Sequence, residues 1–374
     1  MFNLPRGGAR LVGVIASVVV LGATSLGASA AAATGRKSSP SGVTTSGISH
    51  KECAANRAAG VINFETSFSY AAAASILDVV VAYDRGYFKD MCLTVKLSSG
   101  FSTTNVGDVS SDHVQISSLG SNSEVIAANI EHANVVGIAT LGNTAVTELL
   151  TPPSANITNL KQLDGKPVGI KGALPYEVAA MLAKEGVKIS SLQQIQEGFD
   201  PTIIANGSID ALPVYKSNEP YELNQKGIKY TVWDPTKYGI AASFAAFIAN
   251  RAFAKAHPTA VTDFLRADLH AFAWAYAHKE AAVHDTQALL PSFLGITYGL
   301  SLFRWRVESV ICVKNANPVL PFGEVSLVDA TNEYQQDISL GLLAKGSNVD
   351  HDFNNSYLAA AYNGSTLVWP KKFG

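Results

Sequence analysis

The sequence predicts an α/β protein of two lobes, each a mainly parallel sheet flanked by helices, with two crossover segments as the hinge. Three observations carry this. Short apolar or alternating runs take turns with segments of helical period, the pattern of parallel β-α-β units. The same rhythm starts twice, near residue 61 and again near residue 166. The chain has 374 residues, 47% of them apolar and 16% charged, which is enough for two lobes and too apolar for disorder. The balance of 28 Lys+Arg against 30 Asp+Glu gives a formal net charge of −2, which argues against a strongly basic nucleic-acid binder.

The N-terminus reads as an export signal. Arg6 and Arg10 precede an apolar run over 11–26, and Ala28-Ser29-Ala30 follows. A positive start, a short apolar core and an A-x-A site make a secretory signal peptide. The alternative is an uncleaved anchor helix, but Gly13 and Gly22 break the run. Cleavage is expected to leave a start between Ala31 and Gly35. Ser29, not cysteine, follows Leu26-Gly27-Ala28, so no lipid anchor is expected. Residues 34–49 are rich in Gly, Ser and Thr and read as a flexible leader. The division expected is 1–33 signal, 34–60 leader, 61–141 first part of lobe one, 142–244 lobe two, and 245–374 a helical second part of lobe one.

Along the chain, 61–64 is a strand, 68–70 a turn and 71–84 a helix with Ile76, Leu77, Val80 and Val81 at helical spacing, ended by Gly86. Residues 93–97 alternate as the next strand, and 113–116 form the third. A turn over 117–122 leads to a helix at 124–130 and a buried-type strand at 135–139. In the second lobe, 166–170 is a strand, 171–175 a turn, and 176–185 a helix closed by Gly186. Strands follow at 209–214 and 229–232, with 215–220 between them as a loop. After the run 245–249 the chain is helical over 259–278, 303–313 and 327–343. The crossings are expected near 141–144 and 243–247.

Cys53, Cys92 and Cys312 would meet an oxidising compartment after export, so one disulfide and one free thiol is the simplest arithmetic. Cys53 lies before the first strand and Cys92 before the second. In a β-α-β unit both strands start on one sheet edge, so these two can meet, while Cys312 in an apolar helix stays a buried thiol.

No G-x-S-x-G, H-E-x-x-H, Walker or G-x-G-x-x-G motif occurs, so no enzyme is proposed by motif and no cofactor is expected. Glu280 and His284 could share a helix face, but no third ligand is near, and a solvated pair is the favoured reading. Asp210 reads as a fold position, not an acid catalyst.

In open α/β sheets, ligands sit outside the carboxyl ends of the strands. That rule selects Phe68, Ser69 and Tyr70; Ser118, Gly120 and Ser121; Asn143; Ala173 and Tyr176 beside Lys171; Tyr215, Asn218 and Glu219; and Tyr238. Hydroxyls, amides and tyrosines around one cleft suit a small planar, hydrogen-bonding solute. The alternative is that Ser121, Asn143 and Tyr176 are only caps and turn residues.

Several motifs then fall in order. Ala82-Tyr83-Asp84-Arg85-Gly86-Tyr87-Phe88 resembles the A-x-x-x-GYF end of a first helix in solute-binding proteins of ABC importers, in the group for nitrate, sulfonates, taurine and thiamine-pyrimidine precursors. The segment from Leu160 to Gly169 is similar to that group's L-x-D-L-K-G-K-x-V-G opening of lobe two, and Gly207-Ser208-Ile209-Asp210-Ala211 to its G-x-V-D-A strand. Asn218-Glu219-Pro220 lies where the group carries an x-E-P ligand loop. The stretch from His257-Pro258 to Ala267 resembles its P-x-x-V-x-x-F-L-R-A helix.

The resemblance implies a type II periplasmic-binding-protein fold and an exported or periplasmic, monomeric solute-binding protein. Its partners would be a small-molecule solute and the ABC permease subunits in the membrane. Asn218-Glu219 with Tyr238-Gly239 looks most like the branch for pyrimidine or flavin-like heterocycles. In that reading Tyr70 and Tyr215 stack on the solute, Ser118, Ser121 and Asn143 bond to it, and Glu219 accepts from ring amines. That branch's tryptophan turn is replaced here by Phe68-Ser69-Tyr70. Three alternatives remain: a sulfonate, taurine or nitrate binder, a thiamine-pyrimidine synthase on the same scaffold, and a non-transport sensor subunit.

Overall fold

The computed structural model describes residues 42–371, so the export signal lies outside the described residues. The first sheet begins with β1 (Val61–Glu65), β2 (Thr94–Ser98), β3 (Ile116–Leu119) and β4 (Val135–Gly142). The chain then passes through residues 143–146 into a second sheet. There it lays down β5 (Thr147–Thr151), β6 (Pro167–Ile170), β7 (Gln193–Gln196), β8 (Leu212–Tyr215) and β9 (Thr231–Trp233). It returns through residues 239–243 as β10 (Phe244–Asn250).

The first sheet has the order β2-β1-β3-β10-β4, with β1 parallel to β2 and β3, and β10 antiparallel to β3 and β4. In the second, β6 runs parallel to β7, and β5 runs antiparallel to β8 and β9. A parallel bridge from Val168 to Ala211, with Gly169 N–H donating to Ala211 O at 2.9 Å, joins the two parts. The resulting order, β7-β6-β8-β5-β9, repeats that of the first sheet. In each, the antiparallel member is the strand that has just crossed from the other lobe.

Sequence chemistry explains which strands sit where. β4, β5 and β10 are buried at every position, as expected of strands covered on both faces. β7 is Gln-Gln-Ile-Gln, exposed throughout, and forms an edge. On the first sheet packs the twenty-residue helix Pro258–Ala277, whose Phe264 stacks on Phe64 at 5.6 Å and on Phe88 at 4.9 Å. Trp305, fully buried on helix Tyr298–Lys314, donates its indole N–H to Ala275 O at 3.0 Å.

Several local expectations change. The helix expected over 71–84 spans Leu77–Asp84 only. The preceding residues form turns in which Ser69 and Ser75 take positive φ (46° and 64°), a conformation that ordinary side chains rarely adopt. The third strand lies three residues later than expected, because His113 N–H closes onto Asp108 O after helix Ser102–Ser110. Ser117 and Ser118 are therefore strand residues, not turn residues. The loop expected over 215–220 ends in helix Glu219–Gln225. Within 34–60, read as a flexible leader, His50–Ala58 is a helix capped by Ser49, whose Oγ accepts from Glu52 N–H at 3.1 Å.

That helix is tied down by a disulfide from Cys53 to Cys92, Cα–Cα 5.3 Å, while Cys312 is a free, buried thiol. Two groups of buried acids also stand out. Asp78 and Asp268, both fully buried, face each other between helices Leu77–Asp84 and Pro258–Ala277. Burial pushes Asp78 up to about 8 and Asp268 well above its ordinary value. On helix Leu327–Ser339, Glu333 accepts from Ser123 Oγ at 2.7 Å and from Ser243 Oγ at 3.2 Å. Burial raises Glu333 to about 8 as well. One turn on, Gln336 holds the return crossing through Ala241 N–H (2.9 Å) and Ala241 O (3.1 Å).

Two expectations follow from this framework. Closing a loop with a sequence separation of 39 should contribute about 2–4 kcal/mol. Cys53→Ser should therefore lower unfolding stability by that amount, and a reductant should lower the melting temperature of the wild type but not of the variant. Equal sensitivity of both to reductant would contradict the pairing. For the acids, the folded state binds more protons than the unfolded chain between the ordinary values, 3.8 for Asp78 and 4.5 for Glu333, and about 8. Their contribution is therefore complete below that window and is lost as pH rises through it. Thermal melting followed from pH 5 to pH 9 should decline, and Asp268→Asn should flatten the decline; a rising profile would count against carboxyls held protonated by burial.

Candidate functional site

Loops from the carboxyl ends of strands in both sheets meet over a cavity of about 300 Å³. The first lobe supplies Phe68 after β1, Phe101 after β2 and Gly120 after β3. The second supplies Lys171 after β6, Phe199 after β7, and Tyr215, Asn218 and Glu219 at the end of β8. Helix Tyr298–Lys314 adds Arg304 and Glu308, four residues apart on its buried face.

The charged groups are arranged unequally. Glu219, 2% exposed, receives Lys171 Nζ on Oε1 and Tyr215 N–H on Oε2 at 2.9 Å. Burial pushes its carboxyl up, but the Lys171 ammonium and these hydrogen bonds outweigh burial and hold it below the usual range. Glu308, 4% exposed, accepts from Ala74 N–H at 2.8 Å and from Ser217 Oγ at 2.5 Å, and burial raises its pKa. It thereby ties a first-lobe loop to a second-lobe loop.

Arg304, also 4% exposed, donates from Nη2 to the neutral amide oxygen of Asn218, while its buried Nη1 has no hydrogen-bond partner among the described residues. Burial depresses its pKa, opposed by the fields of Glu308 and Glu219. A buried guanidinium N–H without a partner is costly.

Aromatic rings form one part of the wall. Phe68 meets Phe101 edge-on at 5.6 Å and Phe199 at 5.4 Å. Phe101, Phe199 and Tyr215 are 45%, 52% and 44% exposed.

Of the residues selected from the sequence, Phe68, Gly120, Tyr215, Asn218 and Glu219 line this cavity. The others are placed outside its lining. Ser69 N–H donates to Gly100 O at 3.0 Å, and Tyr70 is half-buried beside it. Ser118 Oγ accepts from Ser67 N–H at 3.1 Å, so this hydroxyl holds the loop after β1. Ser121 caps helix Asn122–Ile130 through Glu124 N–H at 3.3 Å. Asn143 Nδ2 donates to Asn315 O at 3.3 Å. Ala173 is exposed, and its backbone bridges to Lys171. Tyr176 opens helix Tyr176–Lys184, with its phenol raised to about 12 by burial. Tyr238 offers its carbonyl to Lys184 Nζ at 2.6 Å.

The residues selected from the sequence leave out Phe101, Phe199, Arg304 and Glu308, all of which line the cavity. Gly100-Phe101 stands where the strand-end rule would have found it. Phe199 follows a strand with no apolar pattern, and the charged pair on a helix is outside the rule's reach. Elsewhere Glu280 pairs with Arg306 at 2.5 Å and Asp210 with Lys166 at 3.7 Å. Among the described residues no group of three or more His, Cys, Asp or Glu is placed to hold a metal ion.

Two α/β sheets of one strand order, exchanging crossover strands and closing loops over a cleft, define a periplasmic-binding-protein fold. A family model described as "NMT1/THI5 like" matches residues 73–282, more than half of the chain, and the chain belongs to that family. Solved structures of similar fold include a putative sulfonate ABC transporter periplasmic sulfonate-binding protein, SsuA, from Methylobacillus flagellatus KT. It is 16% identical, with a TM-score of 0.58 over 80% of this chain and 93% of that one. The alkanesulfonate-binding protein SsuA from Xanthomonas axonopodis pv. citri, bound to MOPS, is 11% identical, with a TM-score of 0.60 over 79% and 98%. A cysteine-to-serine mutant of DszB, in complex with biphenyl-2-sulfinic acid, is 11% identical, with a TM-score of 0.54 over 80% and 98%. No curated protein matches the sequence.

The Lys171–Glu219 pair gives a direct test of this geometry. Breaking a buried ion pair by removing one partner costs about 3–5 kcal/mol. Glu219→Gln and Lys171→Met should each lower the stability of the ligand-free protein. A double-mutant cycle should return a coupling above about 0.5 kcal/mol; additive effects would show that the two side chains do not meet.

Proposed function

We propose that the chain is the extracytoplasmic solute-binding component of an ABC importer, and that it takes a small anionic solute of sulfonate type between its lobes. The observation that carries this is Arg304, buried at the cleft with a guanidinium N–H that no group among the described residues accepts. A sulfonate or carboxylate oxygen suits that donor, and charge-assisted bonds of this kind are worth about 1.5–3 kcal/mol net. Contacts from one helix to both lobes, Arg304 to Asn218 and Glu308 to Ala74 and Ser217, fit a molecule that closes around its solute. The delivery partner would be a membrane permease.

The heterocycle suggested by the sequence motifs would need Glu219 as its acceptor. Both oxygens of Glu219 already receive protein donors, so that solute has weaker support than an anion on Arg304. The DszB structures are of a desulfurization enzyme on a similar fold, so fold alone does not choose between binding and turnover. What favours holding an anion is the Arg304 guanidinium, since Lys171 is already paired with Glu219, together with the apolar rings beside it.

Titration calorimetry with alkyl- and arylsulfonates tests the reading. At least one sulfonate should bind the wild type, and Arg304→Gln should weaken it by about tenfold or more. Binding that is unchanged in Arg304→Gln, with the variant folded, would remove the anion from this site.

A further inference from the structure

We infer that the solute's body is a flat aromatic ring, clasped by Phe68, Phe101 and Phe199, so that the cleft selects aryl anions over alkyl anions. This rests on the anion-binding reading above and specifies the substrate class of the same site.

Phe68 is the centre of the clasp. It meets Phe101 at an interplanar angle of 82° and Phe199 at 69°, both edge-on. Phe101 and Phe68 come from the first lobe, after β2 and β1, and Phe199 comes from the second, after β7. The ring contact therefore spans the cleft. All three line the same cavity as Arg304. Yet Phe101 and Phe199 remain about half exposed, at 45% and 52%. Large apolar surface left open at the mouth of a cavity marks a place where a ligand covers it.

Ring chemistry favours a ring as that cover. Edge-to-face and offset-stacked contacts reward a second aromatic system beyond the area that it buries, and an alkyl chain obtains only the area. Phenylalanine offers no donor or acceptor, so the part of the solute lying against these three rings should be apolar, and its charged end is left to Arg304. The cavity of about 300 Å³ lies at the lower end of the usual range for small-molecule sites, which suits one ring with one anionic substituent.

Benzenesulfonate and hexanesulfonate carry the same head group and carbon count and differ in the ring. Calorimetric titration of the wild type, Phe199→Ala and Phe199→Leu with both separates the possibilities. The wild type should bind benzenesulfonate about tenfold or more tightly than hexanesulfonate, and both variants should bring that ratio to within about threefold. Phe199 is an exposed loop residue, so both variants should fold, and their melting temperatures check this. Equal affinities in the wild type, or an aryl preference that survives in both variants, overturns the clasp while leaving the anion site standing. If neither sulfonate binds the wild type, the anion reading falls and the clasp falls with it.

Discussion

Strand β10 enters the first sheet antiparallel between β3 and β4, and β5 enters the second antiparallel between β8 and β9. Neither sheet is complete without a strand that has just crossed from the other lobe. This exchange fixes two crossing segments, at 143–146 and 239–243, and it places the carboxyl ends of β1–β3 and β6–β8 around one cleft. It also returns the C-terminal helices to the first lobe, where Tyr298–Lys314 brings Arg304 and Glu308 to the cavity. The hinge is therefore a consequence of sheet pairing, and the site is a consequence of the hinge.

Within that frame, electrostatics divides the cleft into a settled part and an unsettled one. Lys171 and Tyr215 N–H satisfy Glu219, and Ala74 N–H and Ser217 satisfy Glu308. Arg304 alone among these keeps a buried donor without an acceptor. A charge held this way is tolerable when an anion completes it and costly otherwise. The rings of Phe68, Phe101 and Phe199 supply the complementary apolar surface. A solute with a charged end and an apolar body matches both halves.

The sequence carried the fold well where burial imposes a simple pattern. Continuous apolar runs marked β4 and β10, and helical spacing marked 259–278. It carried less where polar residues do structural work. β5 (Thr-Glu-Leu-Leu-Thr) and β7 (Gln-Gln-Ile-Gln) have no apolar alternation, because one is a crossing strand and the other an exposed edge. Ser117 and Ser118 looked like a turn, yet both hydroxyls are engaged inside a buried strand, Ser117 with Glu65 O at 2.8 Å. At the site, the sequence reads Glu219 as an acceptor for the solute, whereas in the structure its carboxylate pairs with Lys171. Its partner lies 48 residues away, which no local pattern reveals. Arg304 was invisible to a rule that reads only strand ends.

The account turns on where an anion sits. A crystal structure of the protein with 4-bromobenzenesulfonate, phased to show the bromine by anomalous scattering, addresses this directly. The account predicts the sulfonate on Arg304 Nη1 and the bromine peak among Phe68, Phe101 and Phe199, with the two lobes closed over the ligand. A ligand bound elsewhere, or a cleft that stays empty at saturating concentration, would contradict it.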